Sequence, residues 1–262
     1  MEATFSITII GSGNVATQLG KALIKNGYKI DMIYNYHLNS AKILADKLNT
    51  LATDQCENIP LNSNIYIVAL KDEHIIKTLR SLPLKGKLIA HTSGTFNSLK
   101  LNSITNRYAC FYPMQTLKKD LEINFSNNSI FIEGNNENDL NILKEICLNL
   151  SCIPYEIDFK QRQKLHVAAI ATNNFTYHLF SCIQEYCNKH SLPYSSLIPL
   201  FKQTINNIEK ELPFELQTGP AKRNEFDTIE KHHELLKNEK YLADIYLLFT
   251  NQIKNKHLKN EL

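Results

Sequence analysis

The sequence lacks any long apolar run, and none of its stretches approaches the ~20 consecutive apolar residues that a transmembrane helix needs. It also lacks long basic runs, because 29 lysines and arginines are spread along the chain against 26 acidic residues, for a net charge of +3. Concentrated positive charge is what nucleic acids and anionic membranes attract. We therefore expect neither a nucleic acid nor a membrane among its partners.

Cysteine is sparse and shows no functional pattern. The six cysteines form no C-x-x-C pair and no zinc ligand set, so no metal site is expected. The first residues show no charged segment followed by an apolar stretch and a cleavage site, and we expect that they are not a signal peptide. Scattered free thiols without such a peptide are typical of the reducing cytosol, so we predict a cytoplasmic protein.

The order of predicted elements divides the chain into two halves. The 262 residues are long for one core and suit two. Up to residue 158, short apolar strands alternate with amphipathic helices, which predicts an α/β fold whose parallel sheet is covered on both faces. The strand signal then stops, and four helices are predicted. We expect a Rossmann domain over residues 1–158 and an all-α domain over residues 159–262. The predicted strands are 5–10, 28–34, 65–70, 87–91, 107–111, 129–133 and 153–157, and the predicted helices are 13–25, 40–48, 137–150, 161–189, 195–212, 227–238 and 241–256.

A glycine-rich turn joins the first predicted strand to the first predicted helix. It reads Gly11-Ser12-Gly13-Asn14-Val15-Ala16, a G-x-G-x-x-A pattern in the strand–turn–helix context that dinucleotide sites require. Gly11 permits the tight turn, Gly13 lets the backbone approach a pyrophosphate, and Ala16 is small enough for close helix–strand packing. The pyrophosphate would then lie on the free N–H groups of the helix. A glycine turn that binds nothing is the simpler alternative.

The end of the second strand bears on the choice of cofactor. NAD sites usually carry an acidic residue there, whereas NADP sites offer an arginine. Here the residues are Asn35-Tyr36-His37, with neither an acid nor an arginine, and Asn35, His37 and Lys42 could donate hydrogen bonds to a 2′-phosphate. We therefore favour NADP over NAD, which remains possible. A class I methyltransferase also has a glycine-rich first turn, but normally has an acid after the second strand.

Three further loops follow predicted strands at the edge where such sheets bind ligands. Leu70 and Lys71 follow the third long strand, and Lys71 either approaches the cofactor or is an exposed lysine beside the helix that Asp72 can cap. His91, Thr92 and Ser93 follow the next strand and form a polar cluster with Gly94. Gln115 and Thr116 lie after the strand ending near Phe111, where they offer amide and hydroxyl contacts to a substrate. The residues that we assign to the cofactor are Gly11, Ser12, Gly13, Asn14, Val15, Asn35, Leu70, Lys71, His91, Thr92 and Ser93.

The first predicted helix of the second half carries polar residues on an apolar background. At 100° per residue, His166, Ile170, Asn173 and Tyr177 share one stripe, and Asn174 and His178 lie beside it. Burial of such groups is costly without partners, which favours a site over a satisfied core histidine. His166 and Asn174 lie eight residues apart, about 12 Å along a helix, so they cannot both touch one small reacting group.

A second segment, Gln217 to Arg223, contains Gly219-Pro220, which ends a helix and forces a defined loop. Arg223, Glu225 and His232 follow it. This segment is either a plain helix–helix connection with a surface ion pair or part of the site, and Arg223 and His178 are our further candidates for substrate binding.

The chain resembles a family of Rossmann-fold oxidoreductase-like proteins whose helical C-terminal half is a domain of unknown function. They are distant relatives of pyrroline-5-carboxylate reductase, the deazaflavin-dependent NADP reductases and 6-phosphogluconate dehydrogenase. The resemblance covers nearly the whole chain and implies a nicotinamide-binding N-terminal domain and a helical C-terminal domain used in dimerisation. It rests on Gly11 to Ala16, His91-Thr92-Ser93-Gly94, Tyr112-Pro113-Met114-Gln115-Thr116, Leu165 to Ala169, Asn174-Phe175 and Thr218 to Arg223.

The sequence departs from related patterns at three places. Family members often have Ser-Arg where this chain has Asn35-Tyr36, and an aspartate where this chain has Glu225. The β-hydroxyacid dehydrogenases use a lysine and an asparagine one helical turn apart, whereas Lys164 is followed at that spacing by Ala168. The catalytic pair of those enzymes therefore does not transfer, and the resemblance supplies no reaction.

These observations predict an NADP-dependent oxidoreductase that moves a hydride to or from a small carbonyl or imine compound and forms a homodimer through its helical domain. His166 and Asn174 are the expected catalytic residues. His166 would be the acid, because an imidazole ordinarily titrates near pH 6.5. The alternative is a nucleotide-binding sensor or interaction protein without catalysis, which would need only the Gly11 to Ala16 turn.

Overall fold

The computed structural model describes residues 5–260, and their side chains up to Leu258. Contacts divide the chain into two compact units, Met1–Ala169 and Ile170–Leu262. The predicted fold class is confirmed, because strands and helices alternate in the first unit and the second unit is helical.

The described part of the first unit contains eight strands in one sheet. In chain order they are Ser6–Ile10 (β1), Lys29–Tyr34 (β2), Leu51–Thr53 (β3), Ile65–Val68 (β4), Leu88–His91 (β5), Arg107–Pro113 (β6), Ser129–Gly134 (β7) and Ile153–Glu156 (β8).

The strands lie in the order β3-β2-β1-β4-β5-β6-β7-β8. Every neighbouring pair is parallel except β6 and β7, which are antiparallel and pair Cys110 with Glu133 and Tyr112 with Phe131. The all-parallel expectation was therefore wrong at this one junction. Because β1, β4, β5 and β6 run in the same direction, their carboxyl ends lie at one edge of the sheet.

Five helices accompany this sheet, counting those within the described residues of the first unit. They are Asn14–Lys25 (α1), Leu38–Leu48 (α2), Asp72–Arg80 (α3), Glu137–Asn149 (α4) and Phe159–Ile170 (α5). Side chains of β1 alternate between the two faces, so that Ile7 and Ile9 pack with α1, α2 and α4, whereas Ile10 packs with α3. The sheet is thus covered on both faces, as the continuous apolar strands predicted.

The described residues of the second unit form helices joined by turns, with no strand among them. A π-helical turn, Ala171–Phe175, is followed by Thr176–Lys189 (α6), Ile198–Ile208 (α7), Phe226–Leu236 (α8) and Lys240–Asn260 (α9). Among all described residues, no helix is both long and apolar enough to span a bilayer.

The sequence missed several local features. The short strand β3 was not predicted. Neither proposed helix cap forms, because α2 begins at Leu38 rather than at Ser40, and Asp72 is already helical and accepts a hydrogen bond from Thr95 instead. The π turn interrupts the long helix predicted over residues 161–189. The 100° spacing that grouped His166 with Asn173 and Tyr177 was therefore wrong, because a π turn has more residues per turn than an α-helix.

The two compact units meet eleven residues after the expected domain boundary at 158 and 159. Helix α5 groups with the sheet because its buried Arg162 bonds to Glu133 of β7 and to the carbonyl of Phe96. The division into domains 1–158 and 159–262 stays a prediction.

Candidate functional site

The turn after β1 has a backbone that only glycine can adopt. Gly11 has φ +118°, and its N–H donates to the carbonyl of Tyr34 at 2.8 Å. A Cβ added to Gly11 would collide with the carbonyl oxygen of Ala69, at the end of the neighbouring strand β4. Gly11 therefore lets three segments, the ends of β1, β2 and β4, approach closely at the carboxyl edge.

The first turn of α1 is open to an anion. Gly13 stands at its N-cap, makes no side-chain cap and is exposed, and nothing lies within 4 Å of where its Cβ would be. The first amides of a helix have no intrahelical partner and carry the positive end of the helix dipole. Asn14 is also exposed and Val15 is half-buried. This open, uncapped cradle fits a pyrophosphate.

Asn35, at the end of β2, forms a hydrogen bond with the glycine-rich turn. Its Nδ2 donates to Ser12 Oγ at 2.7 Å, and its Oδ1 accepts from the amide of His37 at 2.9 Å. Next to it, the ring of Tyr36 is 81% exposed and meets His37 edge-on, with 5.3 Å between ring centroids. An exposed aromatic ring beside the phosphate turn offers a stacking surface, whereas the amide of Asn35 is largely committed to the protein.

The loops after β4 and β5 supply the remaining cofactor candidates. Leu70 is half-buried and Lys71 is exposed. Thr92 is buried and binds the carbonyl of Val68 through its amide at 3.1 Å. The Oγ of Ser93 accepts from the amides of Thr95 and Phe96, both at 3.0 Å, and so shapes its own loop.

His91 is fully buried, and both ring nitrogens are engaged. Its Nδ1 accepts from the amide of Ser93 at 3.2 Å, which leaves Nε2 to donate to Ser98 Oγ at 2.9 Å. The Ser98 hydroxyl in turn donates to Glu133 Oε2 at 2.9 Å. The ring therefore positions the loop and is not free to contact a cofactor, so any cofactor contact here would come from the backbone.

This polar chain ends at Arg162, whose side chain is completely buried. Its Nη1 donates to Glu133 Oε2 at 2.5 Å and its Nη2 to the carbonyl of Phe96 at 2.7 Å. Within the described residues, its Nε is a buried polar atom without a partner. A buried charge of this kind is tolerated only with close partners, so it ties α5 firmly to β7 and to the loop after β5.

His166 lies one helical turn after Arg162 and meets Tyr112. The distance between Tyr112 Oη and His166 Nδ1 is 3.0 Å. Gly94 packs against this pair, because a Cβ there would lie 2.6 Å from His166 Nδ1 and 3.0 Å from Tyr112 Cζ. Three separate segments, namely the loop after β5, the end of β6 and helix α5, thus converge at the carboxyl edge of the sheet.

The remaining predicted site residues make local contacts within their own units. The Gln115 side chain is exposed, with Oε1 accepting from the amide of Thr116 at 2.7 Å and Nε2 donating to Asn128 at 3.3 Å. Asn174 and His178 are exposed in the second unit, where His178 Nε2 lies 3.8 Å from Cys182 Sγ. Arg223 binds Glu225 at 2.7 Å and also the carbonyl of Thr218, within its own loop.

Sequence reasoning missed Tyr112, Glu133 and Arg162 as parts of this arrangement. Tyr112 begins the motif in which only Gln115 and Thr116 were expected to contact a substrate. Its place directly after the predicted strand 107–111 indicated a position at the ligand edge of the sheet. Arg162 precedes His166 by one helical turn, but nothing local indicated that it is buried. Among residues 5–260, no group of three or more His, Cys, Asp or Glu side chains is arranged to hold a metal.

Two family models match parts of the chain. Residues 6–93 match the family described as NADP oxidoreductase coenzyme F420-dependent, and residues 129–253 match a domain of unknown function, DUF2520. No curated protein sequence matches the chain significantly.

Solved structures resemble the chain over nearly its whole length. A Bacteroides fragilis protein, provisionally named an NADP oxidoreductase, is 33% identical, with 96% of this chain and 98% of that chain covered and a TM-score of 0.88. A reductive aminase from Aspergillus terreus, solved with NADPH and ethyl-5-oxohexanoate, is 15% identical over 97% and 93% of the chains, with a TM-score of 0.74. A pyrroline-5-carboxylate reductase from Coxiella burnetii is 17% identical over 98% of both, with a TM-score of 0.60.

The fold and the glycine turn thus define the class: NAD(P)-dependent oxidoreductases with a Rossmann domain and a helical C-terminal region. The chain belongs to the same family as the Bacteroides fragilis protein, with which it shares a third of its residues over nearly the full length. The family and the cofactor class expected from the sequence are confirmed. The link to 6-phosphogluconate dehydrogenase stays a prediction.

Replacement of Gly94 by alanine tests the close approach of its loop to the Tyr112–His166 pair. The added Cβ must displace the imidazole or the loop, so we expect a loss of about 1–3 kcal/mol in the free energy of unfolding. Gly219→Ala is the matched control, because nothing lies within 4 Å of its Cβ position. Urea unfolding measures both, and equal stability of Gly94→Ala and wild type would contradict the packing described.

The buried His91 makes stability depend on pH. Burial, aided by the charge of Arg162, lowers the pKa of its imidazole to about 3. In the unfolded chain the same imidazole takes up a proton near pH 6.5, so below that pH only the unfolded state gains it. The free energy of unfolding should therefore fall by up to about 1.4 kcal/mol per pH unit as the pH drops from 6.5 toward 3.

Urea unfolding at pH 7.5 and pH 5 measures this dependence. In His91→Gln, the difference between the two pH values should shrink by about 2 kcal/mol, because glutamine does not titrate. His37→Gln, at an exposed side chain, is the control. A pH dependence identical in His91→Gln and wild type would show that His91 does not contribute to it.

Proposed function

We propose that the protein is an NADP-dependent oxidoreductase that transfers a hydride between its cofactor and a small carbonyl or imine compound. The observation that carries the proposal is the Tyr112–His166 pair at the same sheet edge as the glycine turn. Strands β1, β4, β5 and β6 are consecutive neighbours, so the pair lies about 14 Å along this edge from the turn. An extended dinucleotide held by its pyrophosphate at the turn can span that separation.

The residues at the turn fit the cofactor. Gly13 leaves room for a pyrophosphate, and Gly11 lets the turn approach the ends of β2 and β4 closely. The amides at the start of α1 would face the pyrophosphate, and Ser12 is held in place by Asn35. The exposed ring of Tyr36 and the side chains of His37 and Lys42 are the groups available to the adenosine end. When bound, the nicotinamide supplies or accepts the hydride. Leu70, Lys71, Thr92 and Ser93 remain our candidates for the wall of this crevice.

His166 is our candidate for the group that moves the proton. A hydride added to a carbonyl carbon leaves an alkoxide that must be protonated, and an imidazole suits that role near neutral pH. Nδ1 of His166 is engaged by Tyr112, and Nε2 has no hydrogen-bond partner among the described residues. Nε2 is therefore the atom that can exchange a proton with a substrate. Asn174, His178, Gln115 and Arg223 are retained as proposed substrate or catalytic contacts.

The substrate class is proposed from chemistry and from the relatives together. The reductive aminase and the pyrroline-5-carboxylate reductase share the fold, and the first was solved with NADPH and a keto ester. A small carbonyl compound or imine is the corresponding proposal for this chain. The competing function is a nucleotide sensor without catalysis, which the turn alone would serve.

A pair of variants separates the two functions. Gly11→Ala should abolish NADPH binding, because its Cβ collides with the backbone at Ala69. His166→Ala should leave the affinity for NADPH within about twofold of wild type and lower the turnover of a reducible probe by at least ~100-fold, the usual contribution of a general acid. NADPH and NADH fluorescence titrations measure binding, and oxidation of NADPH with 1-pyrroline or cyclohexanone measures turnover. Unchanged turnover in His166→Ala would remove that residue from the mechanism.

We also propose that a second copy of the chain covers the helical unit. Only six described residues of that unit are buried, which is a small core for a unit of this length: Cys182, Cys187, Ala221, Ile229, Leu236 and Thr250. Meanwhile Leu200, Leu247, Leu248 and Phe249 are exposed, and an apolar groove of about 360 Å³ runs between α6, α9 and the loop 217–222. A second identical apolar face is the simplest cover for such a surface.

Sedimentation equilibrium tests the dimer. Wild type should have twice the mass of one chain, whereas Leu248→Glu combined with Phe249→Glu should shift it to the monomer at the same concentration. Leu148→Glu, at an exposed leucine of the first unit, is the control and should remain dimeric. A wild-type monomer at all concentrations would contradict the proposal.

A cytoplasmic location is likewise proposed, because all six cysteines are free thiols.

A further inference from the structure

We propose that Tyr112 is a positioning residue for His166: it occupies Nδ1 of the imidazole in both charge states and so leaves Nε2 as the one nitrogen that can deliver the proton. This inference rests on the proposed function and adds to it a second residue and the identity of the reacting atom. Its structural part, the state of the His166 ring, can be measured without any turnover.

The position of Tyr112 is fixed by its own strand neighbours. In the register of the sheet, Tyr112 pairs with Phe131 of β7, and Phe131 pairs with Tyr155 of β8. Their rings form a row on one face of the sheet, with centroid distances of 6.3 Å between Tyr112 and Phe131 and 5.3 Å between Phe131 and Tyr155. The phenol ring therefore cannot swing away from His166 without breaking this row.

The position of His166 is fixed one helical turn earlier by Arg162. Arg162 bonds to Glu133, which pairs with Cys110 on β6, whereas His166 bonds to Tyr112 two residues further along β6. Four helical residues rise about 6 Å, and two strand residues rise about 6.6 Å. The two rises are nearly equal. The ion pair between Arg162 and Glu133 fixes the position of α5, and the His166 imidazole therefore lies beside the Tyr112 phenol.

The chemistry of the two groups then determines the roles of the ring nitrogens. Burial is the main cause that raises the pKa of the Tyr112 phenol, so the hydroxyl keeps its proton at neutral pH. A hydroxyl both donates and accepts. In the resting neutral ring it donates to Nδ1, which places the ring proton on Nε2. It accepts from the Nδ1 proton when the ring is charged, and also just after Nε2 has given up its proton. In both states Nδ1 is engaged and Nε2 is free.

The proton balance follows from this arrangement. The charged ring gives the Nε2 proton to the oxygen of the developing alkoxide, whose carbon has received the hydride of a dihydronicotinamide. The N–H bond at Nε2 breaks, the O–H bond of the product alcohol forms, and the neutral ring retains its Nδ1 proton against the Tyr112 oxygen. A proton from water then restores the charged ring. Without Tyr112, the imidazole would be free to turn and to present either nitrogen.

Nitrogen-15 NMR of the histidine rings in the full-length protein tests the inference. His166 is identified as the signal lost in His166→Gln, and spectra are recorded at a pH where the rings are neutral. In wild type, we expect a single tautomer with a pyrrole-type Nε2 and a pyridine-type Nδ1. In Tyr112→Phe, the two nitrogens should shift toward each other as the second tautomer becomes populated. Gly94→Ala, which crowds Nδ1, should act in the same direction.

Two internal controls accompany this measurement. Tyr155→Phe removes a hydroxyl from the same aromatic row but not from the bond to His166, and should leave the His166 signals unchanged. His91, with both ring nitrogens bonded inside the protein, should be unchanged in every variant except Gly94→Ala. A mixture of His166 tautomers in wild type, or identical His166 signals in wild type and Tyr112→Phe, would overturn the inference.

A kinetic measurement keeps this inference distinct from the proposed function. With NADPH and 1-pyrroline or cyclohexanone as probes, Tyr112→Phe should lower kcat at least ~10-fold and leave the KM for NADPH unchanged, because misplacement of a catalytic group acts on the chemical step. Tyr155→Phe should match wild type. Absence of turnover in wild type with every probe argues against the proposed function alone, whereas turnover that is unaffected by Tyr112→Phe argues against the role of Tyr112 alone.

Discussion

The buried guanidinium of Arg162 is the constraint on which the candidate site depends. A charged group taken out of water is strongly destabilising unless partners surround it, and here Glu133 and the carbonyl of Phe96 meet it from two different segments. Removal of any one partner would leave the others unsatisfied. The contact therefore allows one relative placement of helix α5, strand β7 and the loop after β5. His91 and Ser98 extend the same hydrogen-bonded chain, which connects β5, the loop after it and β7 next to the Tyr112–His166 pair.

Most of the fold could be predicted from the sequence, because the signals that decide it are local. Apolar runs such as Ile65 to Val68 have no polar position, which indicates a strand buried on both faces. The failures have physical reasons. Strand β3 has only three residues, Leu51–Thr53, and is held by its pairing with β2 rather than by its own pattern. The reversal between β6 and β7 depends on a connection whose path no periodicity encodes. The π turn at Ala171–Phe175 lies inside a continuous helical segment, and a periodicity of 3.6 residues does not register one wider turn.

The candidate site was likewise predictable only in part, because some of its residues are neighbours in sequence and others are not. The phosphate turn is six consecutive residues, so the conformational demand on Gly11 could be inferred from spacing alone. The Tyr112–His166 pair joins residues 54 positions apart, and Gly94 matters only because both of them converge on it. His91 was expected to contact the cofactor, but both of its ring nitrogens are bonded inside the protein. A histidine after a strand suggests a ligand contact, but the ring is buried and neutral, with its pKa lowered to about 3, and serves the loop. Composition cannot distinguish an engaged histidine from a free one, because the distinction lies in what occupies each ring nitrogen.

The separation between the glycine turn and the Tyr112–His166 pair bears on the choice between an enzyme and a sensor. Nucleotide binding alone would be met by the glycine turn and the start of α1, which lie at β1 and involve neither Arg162 nor His166. The protein nevertheless keeps a charge, a carboxylate and a neutral histidine in or near the core at β5 to β7, and replacement of such groups by apolar residues often preserves or increases stability. These buried groups fix the position of α5, which places the His166 imidazole where its Nδ1 bonds to Tyr112. A free imidazole nitrogen held at the ligand edge of the sheet is what proton transfer requires, and nucleotide sensing does not require it.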